Sequence, residues 1–146
     1  MTIPTSTGEH LPHRHLYTRI KASHNGVGVF AIRDIPEGTL LFVGDIGETV
    51  AVSVSEVEAI ADVEIRQVYI DFCPVIDGCF LAPVDFNQIT MGWYLNHSAE
   101  PNVRVLPNLQ FVSSRFIPRG EEVRADYTTY SNHALSYVRT WTAPGA

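Results

Sequence analysis

Apolar positions fall in short, partly alternating runs separated by Gly, Pro, Asn and Asp, a pattern that predicts many brief strands and few helices. Leu16-Tyr17-Thr18-Arg19-Ile20-Lys21 is rich in strand formers. Asn25-Gly26 tolerates the positive φ of a tight turn, so Val27 to Ile32 reads as the returning strand. Leu40 to Val43 gives a third strand. Ser53 and Glu56 stand at capping-box spacing and open the best helical stretch, through about Ala61. Val63 to Phe72 suits a helix or a strand equally. Cys79 to Pro83 follows the Asp77-Gly78 turn as a short strand, and Gln88 to Leu95 predicts a brief helix. Val103 to Leu106 and Leu109 to Ser114 form a hairpin around Pro107-Asn108, and Val123 to Ala125 is the last strand. Arg33-Asp34-Ile35-Pro36-Glu37-Gly38 recurs in outline as Arg115-Phe116-Ile117-Pro118-Arg119-Gly120. Each copy has Pro at the second and Gly at the fourth position of a type I turn, and since the flanks do not match, repeated turn chemistry explains the recurrence.

The absence of an alternating βαβ pattern excludes a Rossmann fold. A length of 146 residues suits one domain, and 45% hydrophobic with 18% charged residues supports a real core. No apolar run reaches about 18 residues, and Met1 to His15 lacks the apolar centre of a secretory signal, so we expect a cytoplasmic protein without a membrane contact. Residues 1–15, with His10, His13 and His15, read as a flexible tail rather than a metal site. Cys73 and Cys79 lack zinc-finger partners and read as buried or half-buried thiols, and no metal site is expected. A net charge of −6, with Lys21 the single lysine against nine arginines, argues against direct nucleic-acid binding. The same charge suits a basic protein or peptide partner.

Three distant segments carry the chemistry. Asn25-Gly26-Val27-Gly28-Val29-Phe30 is either a plain hairpin turn or a place where glycines let a ligand lie on main-chain groups. Asn96-His97-Ser98-Ala99-Glu100-Pro101-Asn102, preceded by Trp93-Tyr94-Leu95, either knits two chain segments together or presents a rigid Asn and His to an adenine edge. Glu121-Glu122-Val123-Arg124-Ala125-Asp126-Tyr127 ends in a tyrosine that packs in the core or, with Tyr130, Tyr137 and Trp141, builds an aromatic platform or channel.

Together these segments resemble the SET-domain family of protein lysine methyltransferases. Gly26-Val27-Gly28-Val29-Phe30-Ala31 followed by Asp34-Ile35-Pro36-Glu37-Gly38 resembles its N-terminal glycine motif and the next turn. Phe42-Val43-Gly44 sits where the family has Tyr-x-Gly. Leu95-Asn96-His97-Ser98 through Pro101-Asn102 is similar to the Asn-His-Ser-Cys-x-Pro-Asn signature, with Ala99 in place of cysteine. Glu121-Glu122-Val123 through Asp126-Tyr127 is similar to the closing motif, and the likeness runs from about residue 17 to residue 130. It implies a mainly β, β-clip-like SET fold with short helices, several small sheets and a knot-like C-terminal threading. Residues 16–130 would form that domain, and 131–146 a segment completing or capping the site.

The resemblance also implies S-adenosylmethionine as cofactor and a lysine-bearing protein or peptide as substrate, meeting through a narrow channel. Gly26, Val27, Gly28, Phe30, Tyr94, Asn96, His97, Tyr127 and Trp141 would contact the cofactor. Tyr127 would be the catalytic tyrosine, and Phe42, Ala125 and Tyr130 would line the substrate channel. Trp93-Tyr94-Leu95 replaces the family's Arg-Phe-Ile, which alters a cofactor contact. Ala125 replaces a bulky aromatic, which leaves room for a larger methylated amine or for water. The cysteine-rich zinc extension of many members is absent, so residues from Tyr130 to Trp141, a second subunit in a homodimer, or the peptide itself would complete the channel. A non-catalytic module that grips a peptide or the cofactor is the alternative, and a purely structural β-clip protein is a third reading.

Overall fold

A computed structural model describes residues 1–8, 11–24, 26–43 and 48–131. The order is β1 (Thr18–Ser23), β2 (Gly26–Ala31), β3 (Leu40–Leu41), β4 (Thr49–Ser53), α1 (Val54–Glu58) and α2 (Val63–Phe72). There follow β5 (Val75–Ile76), β6 (Cys79–Pro83), β7 (Asn96–His97), β8 (Val103–Val105), β9 (Phe111–Ser113) and β10 (Glu122–Ala125). Among the described residues these strands form three small sheets, ordered β1-β2-β10-β7, β3-β9-β8 and β4-β6-β5. The protein is thus mainly β with short helices, as the residue pattern predicts.

The segment from Val63 to Phe72, ambiguous by periodicity, is a helix because Asp62 caps it, accepting from the Glu64 and Ile65 N–H groups at 2.9 and 3.3 Å. Ser53 caps α1 in the same way through the Glu56 N–H at 3.1 Å. The expected helix from Gln88 to Leu95 is instead two 3₁₀ turns, Phe86–Gln88 and Met91–Tyr94, separated by extended backbone at Ile89 and Thr90. Strands β4 and β5 were not foreseen; both pair with β6.

The repeated turn motif does more than its sequence suggests. Both turns close one residue later than expected, with the Thr39 N–H on the Pro36 carbonyl and the Glu121 N–H on the Pro118 carbonyl. Gly38 and Gly120 thereby occupy the third position at φ 81° and 92°, a conformation that glycine adopts without steric cost. The two copies pair with each other: Ile35 and Ile117 exchange both backbone hydrogen bonds at 2.8 Å. Around them the registers correspond under a local pseudo-two-fold. Gly38 donates to the Ser113 carbonyl as Gly120 donates to the Ala31 carbonyl. Leu40 pairs with Val112 as Glu122 pairs with Phe30. Each hairpin, β1-β2 or β8-β9, therefore receives the strand that follows the other hairpin's turn.

The main core sits on this exchange: Val29, Ile35, Leu41, Leu95, Val103, Ile117 and Val123 are buried together with Ala31 and Ala125. A second cluster, Val57, Cys73, Val75, Phe80 and Ala82, underlies the β4-β6-β5 sheet. The edge-on contact of Phe72 with Tyr94, with ring centroids 5.2 Å apart, joins the two. Burial pushes the Cys73 thiol up to about 12, so it stays neutral, while Cys79 is partly exposed.

Strand β10 has β2 antiparallel on one side and β7 parallel on the other. The chain from Asn96 to Asn102 thus holds a strand that comes much later in sequence, the knot-like threading that the fold implies. Ile35 and Ile117 are both wholly shielded from solvent. Ile117→Ala should lower the free energy of unfolding by about 2–5 kcal/mol in urea denaturation. Ile35→Ala should cost a similar amount, because the two occupy equivalent places.

Candidate active site

The three distant motifs converge on β10. Asn96 is buried, and its amide nitrogen donates to the Val27 carbonyl at 2.8 Å and to Glu122 Oε2 at 2.9 Å. The Glu122 carboxylate also accepts from the Ser23 hydroxyl and from the Arg124 guanidinium, each at 3.0 Å. Asn102, equally buried, donates to the Glu122 carbonyl and Glu121 Oε2 and accepts from the Arg124 N–H, each at 2.8 Å. These amides satisfy backbone groups that a two-residue strand such as β7 cannot reach. Of the two readings left open for the Asn96–Asn102 run, the knitting of chain segments is thus observed for both asparagine side chains.

Gly28 belongs to the same knot. A Cβ there would lie 2.5 Å from Glu122 Oε2 and 3.0 Å from Asn96 Nδ2, so the close approach that requires glycine is made by the protein's own side chains. Gly26 differs, since its φ of 93° is set by the hairpin turn. Phe30 lies partly exposed on β2, and Tyr94 packs half-buried against the main core. Glu122 is the residue that sequence reading undervalued: as one of two adjacent glutamates in a motif, it gave no sign that it would join β1, β7 and β10.

From Asn96 the site continues through His97 to Tyr127. Asp126 caps the 3₁₀ turn Tyr127–Thr129 by accepting from the Thr128 N–H at 2.9 Å and from its hydroxyl at 2.6 Å. The Thr128 hydroxyl holds the Asp126 carboxyl below its ordinary value of 3.8. The Tyr127 N–H donates to His97 Nδ1 at 3.0 Å. The proton of the neutral imidazole therefore sits on Nε2, and the 3.8 Å separation of Nδ1 from Asp126 Oδ1 is not an ion pair. The Tyr127 hydroxyl donates to the Leu95 carbonyl. Backbone and hydroxyl are thus both fixed by the segment that precedes and includes β7.

Tyr127 and Leu95 line a cavity of about 210 Å³. Part of its wall is aromatic: the Tyr127 ring meets Tyr130 at 6.0 Å, Tyr130 meets Phe111 at 5.8 Å, and Phe111 meets Phe42 at 6.2 Å, all edge-on. Phe42 and Leu109 line it from backbone at φ 55° and 62°, unusual for bulky side chains. Leu109 occupies the hairpin position where glycine is the ordinary choice. The residues expected along the substrate channel divide: Phe42 and Tyr130 line this cavity, whereas Ala125 is buried in the main core. Of the expected cofactor residues, Gly28 lies close against the Asn96 amide and the His97 ring lies tilted against Tyr127, with centroids 5.2 Å apart. Trp141 lies outside the described residues, as do Tyr137 and most of the expected capping segment 131–146.

Two outcomes follow. Gly28→Ala should lower stability by about 1–3 kcal/mol in chemical denaturation, because Glu122 is held by three partners and cannot swing aside freely. Because the folded Asp126 value is depressed, its contribution to stability is complete above the ordinary value and is lost as pH falls through the folded one. Unfolding free energies measured between about pH 5 and pH 2 should fall less steeply in Asp126→Asn than in the unsubstituted protein.

Residues 26–128 match the SET domain, so the match spans every element from β2 to the turn that carries Tyr127. Comparison with curated proteins gives no match. SET domains are typically protein-lysine methyltransferases and generally bind S-adenosylmethionine. With its glycine, Asn-His and closing-tyrosine motifs knitted around one inserted strand, and with that extent of match, the chain belongs to the SET-domain family.

Proposed function

We propose that this protein is an S-adenosylmethionine-dependent protein-lysine N-methyltransferase whose substrate amine is received in the aromatic cavity beside Tyr127. One observation carries the reading: the Tyr127 hydroxyl and the Leu95 carbonyl are hydrogen-bonded to each other at the wall of that cavity. Two oxygens fixed at one point suit a reacting carbon with polarised C–H bonds, through contacts worth about 0.5–1 kcal/mol each. S-adenosylmethionine, when bound, supplies such a carbon as the methyl of a sulfonium.

The residues present fit that cofactor. His97, held by the Tyr127 N–H through Nδ1, keeps a partly exposed ring with Nε2–H as a donor. The side-chain amide hydrogens of Asn96 are committed to Val27 and Glu122, so any contact of Asn96 with the cofactor would be made through its other groups. Gly26, Val27 and Phe30 would offer the adjoining β2 surface, and Tyr94 would act from beneath by supporting that strand. Trp141 would supply an aromatic face from the C-terminal segment.

On the substrate side, a lysine must attack as the free amine although its reference pKa is about 10.4. Phe42, Phe111 and Tyr130 make a surround of low polarity, which disfavours the ammonium form close to Tyr127. The same walls confine the side chain to a narrow range of approach, and orientation of this kind contributes up to about 7–11 kcal/mol in well-aligned reactions. Ala125, packed beneath this region, would set the depth of the core and not the channel lining. The acidic net charge suits a basic protein or peptide as substrate.

The test is methyl transfer from radiolabelled S-adenosylmethionine into a protein lysate, with the labelled lysine identified by mass spectrometry. Calorimetric binding of the cofactor with no labelled product would instead assign a non-catalytic module. Tyr127→Phe should reduce turnover by about 10²-fold or more, the loss seen when a preorganised polar group is removed from a transition state. Its cofactor affinity by calorimetry should stay close to that of the unsubstituted protein.

A further inference from the structure

Among the described residues, those other than glycine with positive φ are Phe42 at 55°, Asp77 at 52° and Leu109 at 62°. Two of them have a reason near at hand. Asp77 forms with Gly78 the turn between β5 and β6, where a short polar side chain tolerates the left-handed conformation. Phe42 packs against the main core and meets Phe111 edge-on. Leu109 has neither excuse. It is aliphatic and half-buried, yet it packs against neither hydrophobic cluster. Its conformation crowds the β-carbon, a cost that glycine escapes and asparagine bears more easily.

The hairpin tip is built to keep Leu109 there. The loop from Pro107 to Leu109 is closed by the Leu109 N–H on the Leu106 carbonyl at 2.8 Å and by the Leu106 N–H on the Gln110 carbonyl at 2.7 Å. Across Leu109, the Asn108 amide nitrogen donates to Gln110 Oε1 at 2.9 Å, and Asn108 Oδ1 accepts from the Gln110 N–H at 3.2 Å. Pro107 and Asn108 are exposed, whereas Leu109 lines the cavity together with Phe111 and Tyr127.

From this placement we infer that Leu109 is a specificity residue of the cavity, the apolar surface against which the methylene stem of the substrate lysine lies. The inference rests on the cavity receiving that side chain, as in the proposed reaction, and it names the residue that reads the length of the stem. An unbranched aliphatic stem gains from every methylene that leaves water for an apolar wall, and a shorter side chain leaves that wall uncovered. The contact is the same before and during methyl transfer, so Leu109 governs KM and leaves kcat nearly unchanged. The strain is then intelligible: the hairpin yields some stability for a cavity wall that glycine cannot supply.

Leu109→Asn is the informative variant, because asparagine has the same branched outline and tolerates the left-handed conformation, so the apolar character alone is removed. Leu109→Met is its counterpart, apolar but unbranched. The probes are 1-butanol, which is the lysine stem with a neutral end, and ethanol, the same end on a shorter stem. Both are titrated while the ring resonances of Phe111, Tyr127 and Tyr130 are followed by NMR, and thermal unfolding is recorded for each form. The unsubstituted protein should prefer 1-butanol by about tenfold, the scale of two buried methylenes. Leu109→Asn should weaken 1-butanol by about fourfold, the worth of one buried methylene, with ethanol little changed. Its thermal midpoint should move by no more than about 4 °C. Leu109→Met should bind 1-butanol as the unsubstituted protein does. Equal affinity of all three forms for 1-butanol overturns the inference, and so does a failure of 1-butanol to shift those rings in the unsubstituted protein. A parallel loss of both alcohols in Leu109→Asn also overturns it, since Leu109 would then be a prop of the hairpin. Selective loss of 1-butanol with no methylated lysate protein would reject the transferase reading and leave the selectivity for stem length intact. Labelled product with KM unaltered in Leu109→Asn would do the reverse.

Discussion

The structure depends on the insertion of β10 between β2 and the Asn96–Asn102 segment. A strand of four residues has little apolar surface of its own, yet Val123 and Ala125 are fully buried within it. Backbone pairing on both edges and two buried asparagine amides hold it there, and Glu122 ties its start to β1. The two amides and the Glu122 carboxylate are hydrogen-bonded, while Nε of Arg124 beside them is a buried donor with no hydrogen-bond partner among the described residues. The residue that follows this strand by two positions is Tyr127, so the precision of the candidate catalytic group derives from the insertion of the strand.

Much of the site was legible because its motifs recur in a fixed order, and order constrains a fold more than any one motif does. Gly26, Gly28, Asn96, His97 and Tyr127 were all singled out from sequence, and Gly28, Asn96, His97 and Tyr127 adjoin in a chain of contacts. Their work was less legible. The Asn96 amide is occupied with Val27 and Glu122, and Gly28 makes room for both side chains; nothing in a string of letters distinguishes an amide that binds a ligand from one that binds a strand.

The secondary structure divides along the same line. Caps and tight turns are local, so Ser53, the hairpin at Gly26 and the hairpin at Pro107 were read correctly in kind. The helix at Val63–Phe72 could have been decided by its Asp62 cap. By contrast β4 is mostly exposed and is defined by its pairing with β6 across the intervening helices, a long-range fact. The turn motifs were found but misplaced by one residue, because Pro36 and Pro118 are the first residues of their turns and not the second.

The threading of β10 has a bearing on how the protein comes into being. Ser23 and Glu122, bonded at the edge of the main sheet, are 99 positions apart in the chain. Contacts of such separation form only after most of the polypeptide has collapsed, since the entropy of closing the intervening loop must first be met. The cavity wall at Tyr127 is consequently assembled with, and not after, the completion of the fold. The cavity beside Tyr127 and the Glu122–Asn96 clasp thus form together, and damage to the clasp would surface as missing protein before it surfaced as an altered cavity.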